Sequence, residues 1–360
     1  MHIGIVTLPL YHNYGGILQN YALQQVLKRL GHTPVTIDLI PHNLWRFSLS
    51  TCKTVILYFI PGMRRPFASY RARRNRQMQA FVEKHIVHTC LVRKYSVELL
   101  DKYHIEGLLV GSDQVWRPDY SPCLKDMFLH FAQRVKIRKI TYAASFGMEE
   151  LKFSKRQLKR CASLSKQFDF VSVREASGVD LCSNYFHINA EHVLDPTLLL
   201  GKDDYEQVCI SVPKRSMKFL ACYILDPTEE QRRRIDHMAQ YLHLIPIYFT
   251  VGDKITLSVE EWLAMFRDAE YVVTDSFHGT VFSIIFRKPF ITILNTVRGG
   301  DRFVSLLRVL GLESRLISSV EKLTEALYVH PIDWLTVDIA LSVAQRKSMA
   351  YLQKALNCEI

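Results

Sequence analysis

A histidine followed by a glycine, where an apolar strand-like run gives way to an apolar helix-like run, is the chemical focus of this chain. Residues 271–286, YVVTDSFHGTVFSIIF, break at Thr274-Asp275-Ser276-Phe277-His278-Gly279. A strand, a polar turn and a helix N-terminus leave backbone N–H groups unpaired and present the positive end of the helix dipole, which suits a phosphate or carboxylate. His278 puts a titratable ring where such an anion would sit, and Gly279 permits close backbone approach. A plainer reading has Asp275 or Ser276 capping the helix and His278 as a satisfied polar side chain. The whole hexapeptide at a strand-to-helix junction favours the site.

Such a turn works only if other strand ends converge on it. The N-terminal stretch IGIVTLPLYHNYGGILQNYALQQVLKRLGH reads as a buried strand at 3–8, a polar loop with Gly15-Gly16 and an amphipathic helix at 17–30 closing at Gly31. The strand at 107–110 runs into Gly111-Ser112-Asp113-Gln114-Val115-Trp116. Further blocks follow: YAASFG at 142–147, VSVRE at 171–175 and DPTLL at 195–199. Strand-like and helix-like patterns alternate throughout, which predicts a mainly parallel sheet covered by helices. A second such unit begins after Asp204, with strands at 219–225, 245–250, 271–274 and 290–294 and helices at 228–242, 258–268 and 279–286. The predicted fold class is therefore α/β, with two Rossmann-like domains facing a cleft.

These blocks, in this order and ending in the TDSFHG turn, resemble the polysaccharide pyruvyl transferase family from residue 1 to about residue 315. GSDQVW and TDSFHGTVFS carry the specificity of the match. The resemblance implies the GT-B arrangement, with residues 1–203 as the acceptor-side domain, 204–335 as the donor-side domain, and 336–360 as a terminal helix crossing back to the first. It implies phosphoenolpyruvate as donor and a cyclic pyruvate ketal on two hydroxyls of one sugar as product, in surface polysaccharide (capsule or exopolysaccharide) biosynthesis, with no cofactor. The acceptor would be a lipid-linked sugar or oligosaccharide. A glycosyltransferase using a nucleotide sugar on the same architecture, and a binding protein that keeps the fold without chemistry, are the alternatives.

Under the leading reading His278 is the general acid and Asp113 the base on the acceptor hydroxyl, unless Asp113 merely caps the next helix. Asp275 and Asp195 stand behind them: Asp275 to orient His278, Asp195, before Pro196, as a structural residue. Donor contacts fall on Ser276, Gly279, Thr280 and Arg174, whose guanidinium suits a carboxylate or phosphate, although an ion pair with Glu175 is its bland alternative. Family members carry an arginine two residues before the motif histidine, where this chain has Ser276. Arg302, or Arg298 in the same loop, is the expected replacement. The polar, aromatic loop with Asn13 and Tyr14, together with Gln19 and Trp116, forms the expected acceptor cradle, Trp116 having a core position as its alternative.

Composition bounds the rest. The 360 residues are 48% hydrophobic and 22% charged, ordinary for a globular protein, and 46 Lys plus Arg against 35 Asp plus Glu leave a net charge of +11. That favours anionic partners, but no helix-turn-helix, zinc-finger, RRM or KH signature supports nucleic acid. Eight scattered cysteines without zinc spacing read as free thiols, and no metal cluster is visible. With no secretory signal and no apolar run near the ~18 residues of a transmembrane helix, a cytoplasmic protein is expected. Residues 44–76 join an apolar run to six arginines, the composition of a helix on the inner face of an anionic membrane. A solvated basic helix at 68–83 after a buried one is the equal alternative.

Overall fold

The computed structural model describes residues 1–10, 13–39, 67–121, 123–148, 150–225, 227–249, 257–295 and 299–357, with side chains of the Phe67–His85 helix from residue 76 onward. The apolar part of the expected membrane segment, up to residue 66, lies outside them. No helix of the described residues is long and apolar enough to cross a membrane.

Two parallel sheets organise the chain. In the first, β1 (His2–Val6), β2 (Thr33–Thr36), β3 (Gly107–Val110) and β4 (Arg138–Thr141) take the order β2-β1-β3-β4. Parallel bridges at Ile140–Phe170 and Ala144–Val173 extend it toward the pair β5 (Ser172–Val173) and β6 (Glu191–His192). In the second, β7 (Phe219–Tyr223), β8 (Ile245–Tyr248), β9 (Tyr271–Thr274), β10 (Phe290–Ile293) and β11 (Leu316–Ile317) take the order β11-β10-β9-β7-β8. The strands β3, β7, β9 and β10 are buried along their whole length because helices cover both faces of a parallel sheet, so their sequences are continuous apolar runs. Strand order reverses between β1 and β3 in one sheet and between β7 and β9 in the other, and ligands of open α/β sheets bind at such points.

Helix α1 (Tyr14–Arg29) begins three residues before the expected start at Ile17. Asn13 sets that start: its Oδ1 accepts the Gly15 N–H at 3.0 Å, which draws Gly15 and Gly16 into the first turn. The helix ends where Gly31 takes φ +82°, and the N–H groups of Gly31 and His32 return to the carbonyls of Lys28 and Leu27.

The two halves share one apolar core. Tyr14 stacks on Trp262 with ring centroids 5.3 Å apart, and residues of both halves belong to one buried apolar cluster. The terminal helix Trp334–Asn357 joins both. Near its start Asp338 pairs with Arg287 at 2.6 Å. Further along, Gln345 donates to the Leu198 carbonyl, Ser348 accepts the Leu194 N–H, Tyr351 donates to the Thr141 carbonyl, and the Ala355 carbonyl accepts from Arg138. Leu352 is fully buried in this seam.

Leu352→Ala is therefore expected to cost about 2–5 kcal/mol. Urea denaturation should show this as a lower midpoint with an unchanged slope.

Candidate active site

The centre of the interdomain seam is a carboxylate. Asp195 follows β6 at the start of the turn Pro196–Leu199, and its side chain is fully buried. Its Oδ1 accepts the Thr197 N–H at 3.0 Å and the Thr197 hydroxyl at 2.6 Å. Its Oδ2 accepts the Ser112 hydroxyl at 3.1 Å and Arg174 Nη1 at 2.7 Å. His278 Nε2 stands 3.8 Å from the same oxygen, beyond hydrogen-bond length but within ion-pair range. Burial alone would raise this carboxyl, yet His278, Arg174 and Thr197 outweigh it and hold the group well below the usual carboxylate range.

Arg174, just beyond β5, pairs with Asp195 and not with its neighbour Glu175. Its side chain is 1% exposed, and its Nε and Nη2 are buried without a hydrogen-bond partner. Glu175 instead accepts the N–H groups of Phe146 and Gly147 at 2.6 and 3.1 Å, and burial pushes its carboxyl up. Arg302 enters from the other half, at the start of the Asp301–Val309 helix. Both guanidiniums lie against the Phe277 ring, Arg174 at 4.9 Å and Arg302 at 5.1 Å from its centroid. Burial first, and the Arg174 charge second, pull Arg302 down to about 10, against the opposing pull of Glu175, Asp113 and Asp195.

Two glycines bring the halves this close. A Cβ on Gly15 would overlap the His278 ring at Nδ1, Cγ and Cε1, so the imidazole lies flush on the α1 backbone. A Cβ on Gly16 would sit 3.0 Å from Asp113 Oδ2. Asp113 Oδ1 accepts the Gln114 N–H at 2.7 Å. The structure thus gathers His278, Asp113, Asp195, Arg174 and Arg302 of the residues named from the sequence, and adds Ser112.

The remaining expectations meet other geometry. The two second-line carboxylates exchange roles: Asp275 accepts the Leu225 N–H at 2.6 Å and the Asn295 amide at 3.1 Å, whereas Asp195 faces His278. Ser276 is the helix cap, accepting the Gly279 N–H at 3.4 Å, so its hydroxyl is engaged inside the turn. Gly279 packs against Thr274, where a Cβ would overlap Oγ1, and the Thr280 hydroxyl bonds the Ser276 carbonyl and Thr292. Asn13 caps α1. Tyr14 donates to the Leu257 carbonyl at 2.6 Å, and Gln19 bonds the Gly16 carbonyl at 2.9 Å. Trp116 is fully buried, stacked on Phe128 at 4.9 Å and bonded to the Met127 carbonyl, the core position that was its alternative. Arg298 lies outside the described residues. Among those residues no group of three or more His, Cys, Asp or Glu could hold a metal ion.

A family model described as polysaccharide pyruvyl transferase matches residues 13–296. Among curated proteins none matches. Among solved structures, an S. aureus MnaA structure with UDP is 10% identical over 99% of this chain and 97% of its own, with a TM-score of 0.57. A UDP-GlcNAc 2-epimerase from Neisseria meningitidis bound to UDP-GlcNAc is 10% identical over 100% and 95%, at 0.48, and the spinosyn rhamnosyltransferase SpnG is 10% identical over 99% and 100%, at 0.49. The first of these shows the fold: two Rossmann-like domains in the GT-B arrangement.

Asp195→Asn leaves Arg174 buried beside a neutral amide and is expected to destabilise the protein by about 3–5 kcal/mol near neutral pH. The folded carboxyl is held down, so its stabilisation is complete above the unfolded value of about 3.9 and is lost as pH falls toward the folded value. Stability measured from pH 7 down to pH 3 should therefore fall more steeply in the wild type than in Asp195→Asn.

Proposed function

Because the chain belongs to the polysaccharide pyruvyl transferase family, we propose that it moves the enolpyruvyl group of phosphoenolpyruvate onto two hydroxyls of one sugar, closing a cyclic ketal. The observation that carries the donor reading is the pair of buried guanidiniums on one phenyl ring, with two Arg174 nitrogens unpartnered. Two cations held this close repel one another, and Asp195 pairs directly with Arg174. A small donor bearing both a carboxylate and a phosphate offers acceptors to those open Arg174 nitrogens. Arg302 stands in for the arginine that other family members place before the motif histidine.

The chemistry balances with the groups present. The double bond of the donor takes a proton at its methylene carbon and becomes a methyl, leaving a carbocation stabilised by oxygen at the adjacent carbon. One sugar hydroxyl adds there, the bond to the phosphate oxygen breaks, and the second hydroxyl closes the ring. Of the two hydroxyl protons lost, one is balanced by the new methyl proton and the other by the departing phosphate. His278, held by Asp195 on one edge and Gly15 on another, delivers the proton, and Asp113 accepts one from the hydroxyl. The acceptor is a lipid-linked sugar or oligosaccharide of surface polysaccharide synthesis, met at an anionic membrane surface to which the net charge of +11 is suited.

Phosphoenolpyruvate, incubated with aryl-tagged or lipid-linked sugars, should release phosphate and raise the acceptor mass by about 70 units, one pyruvate less one water. At 100 times its Kd the donor should also stabilise the fold by about 2.7 kcal/mol, visible as a higher Tm. A shift with UDP and none with phosphoenolpyruvate would instead favour a nucleotide-sugar enzyme on this fold.

Arg302→Ala is expected to raise the donor KM at least about tenfold, the loss of one charge-assisted contact. His278→Gln should lower kcat by about 100-fold or more, the contribution of a positioned acid. Unaltered kinetics in either variant removes that residue from the reaction.

A further inference from the structure

Three consecutive residues of α1 each meet a different part of the site. Tyr14, 5% exposed, stacks on Trp262 with the ring planes 13° apart, and its hydroxyl donates to the buried Leu257 carbonyl. Gly15 presses on the His278 ring, and Gly16 adjoins Asp113 Oδ2. Trp262 belongs to the Val259–Asp268 helix and Leu257 immediately precedes its Ser258 cap, so Tyr14 grips the second half at the start of that helix. On the near side Asn13 and Gln19 tie the same turn to its own backbone, and Gln19 also reaches Thr7 at 3.4 Å, beyond β1.

We propose that the first turn of α1 is a spacer that sets the His278 imidazole relative to Asp195 and Asp113, and that Tyr14 is the positioning residue that seats it. The imidazole is carried by one half of the molecule, and both carboxylates by the other. What fixes their separation is the thickness of a bare helix backbone, and the Tyr14 contacts keep that backbone against the ring. A hydrogen bond of 2.6 Å and a near-parallel stack within a dry seam define one seated position, where a surface loop would allow many. Opening the cleft breaks the Tyr14 contacts and unseats His278 together, so closure over bound substrates and alignment of the acid become a single event. The chemical role given to His278 rests on the proposed function; the seating of its ring does not.

Tyr14→Phe, Tyr14→Ala and Gly15→Ala in the full chain test this with two readouts. Nitrogen-15 histidine spectra report the His278 ring, assigned by its loss in His278→Gln, and steady-state assays report kcat and the KM for phosphoenolpyruvate. Gly15→Ala and Tyr14→Ala should shift the His278 signals and lower kcat by about 100-fold, the scale of an ångström-sized misplacement, with the donor KM within about threefold of wild type. Tyr14→Phe keeps the stack and should recover most of both. Folded Tyr14→Ala with unmoved His278 signals overturns the proposal. Should Tyr14→Ala not fold, unmoved His278 signals in Gly15→Ala overturn it equally. A wild type without pyruvyl transfer removes the proposed function, and the spectra still decide the seating.

Discussion

A carboxylate taken wholly out of water is the constraint around which this protein is arranged. Removing a carboxylate from solvent costs several kcal/mol unless cations and donors replace its hydration. Asp195 finds them in Ser112 after β3, Arg174 after β5, Thr197 two residues on, and His278 from the other half. Strand ends distant in sequence are thereby drawn to one point. The two sheets could pack in many relative positions for the sake of apolar burial alone. Few of these also bring a histidine edge to within 3.8 Å of Asp195.

The same arrangement sets two buried guanidiniums among Asp195, Asp113 and Glu175. Arg174 uses one of its nitrogens on Asp195, and Arg302 is held in the same dry region although burial disfavours its charge. Interactions among these buried charges escape the screening by water and salt that weakens those of surface arginines.

Much of the framework was legible because it is local. The alternating apolar runs gave both parallel sheets, and the junction at 274–279 marked the histidine turn that the fold places at the end of β9. What sequence could not display is which polar residues the fold would consume. Tyr14, Gln19 and Trp116 have the composition of a sugar cradle, and each is spent on packing or on a backbone carbonyl. Ser276 and Gly279 likewise serve the turn itself, as cap and as clearance for Thr274. Asp195 and Asp275 are chemically alike and both adjoin turns, so only contacts across 83 residues, such as that from Ser112 to Asp195, tell them apart. Gly15 gave no local sign of its purpose, since the ring that requires it lies in the other half. The signal that could have raised Asp195 was its place within three residues of a strand end, shared by Asp113 and Asp275.

The terminal helix has a consequence for how the molecule comes into being. Arg138, Thr141, Leu194 and Leu198 all belong to the first half, yet each of them bonds to a residue of the last helix. A ribosome makes that helix only after both sheets. The earlier-made sheet must therefore wait with an uncovered flank while the whole second half is synthesised, a period in which exposed apolar surface invites association with other chains. Folding of the first half is thus coupled to synthesis of that helix: a nascent chain stalled before it lacks the seam that closes the core, however fully its two sheets have formed.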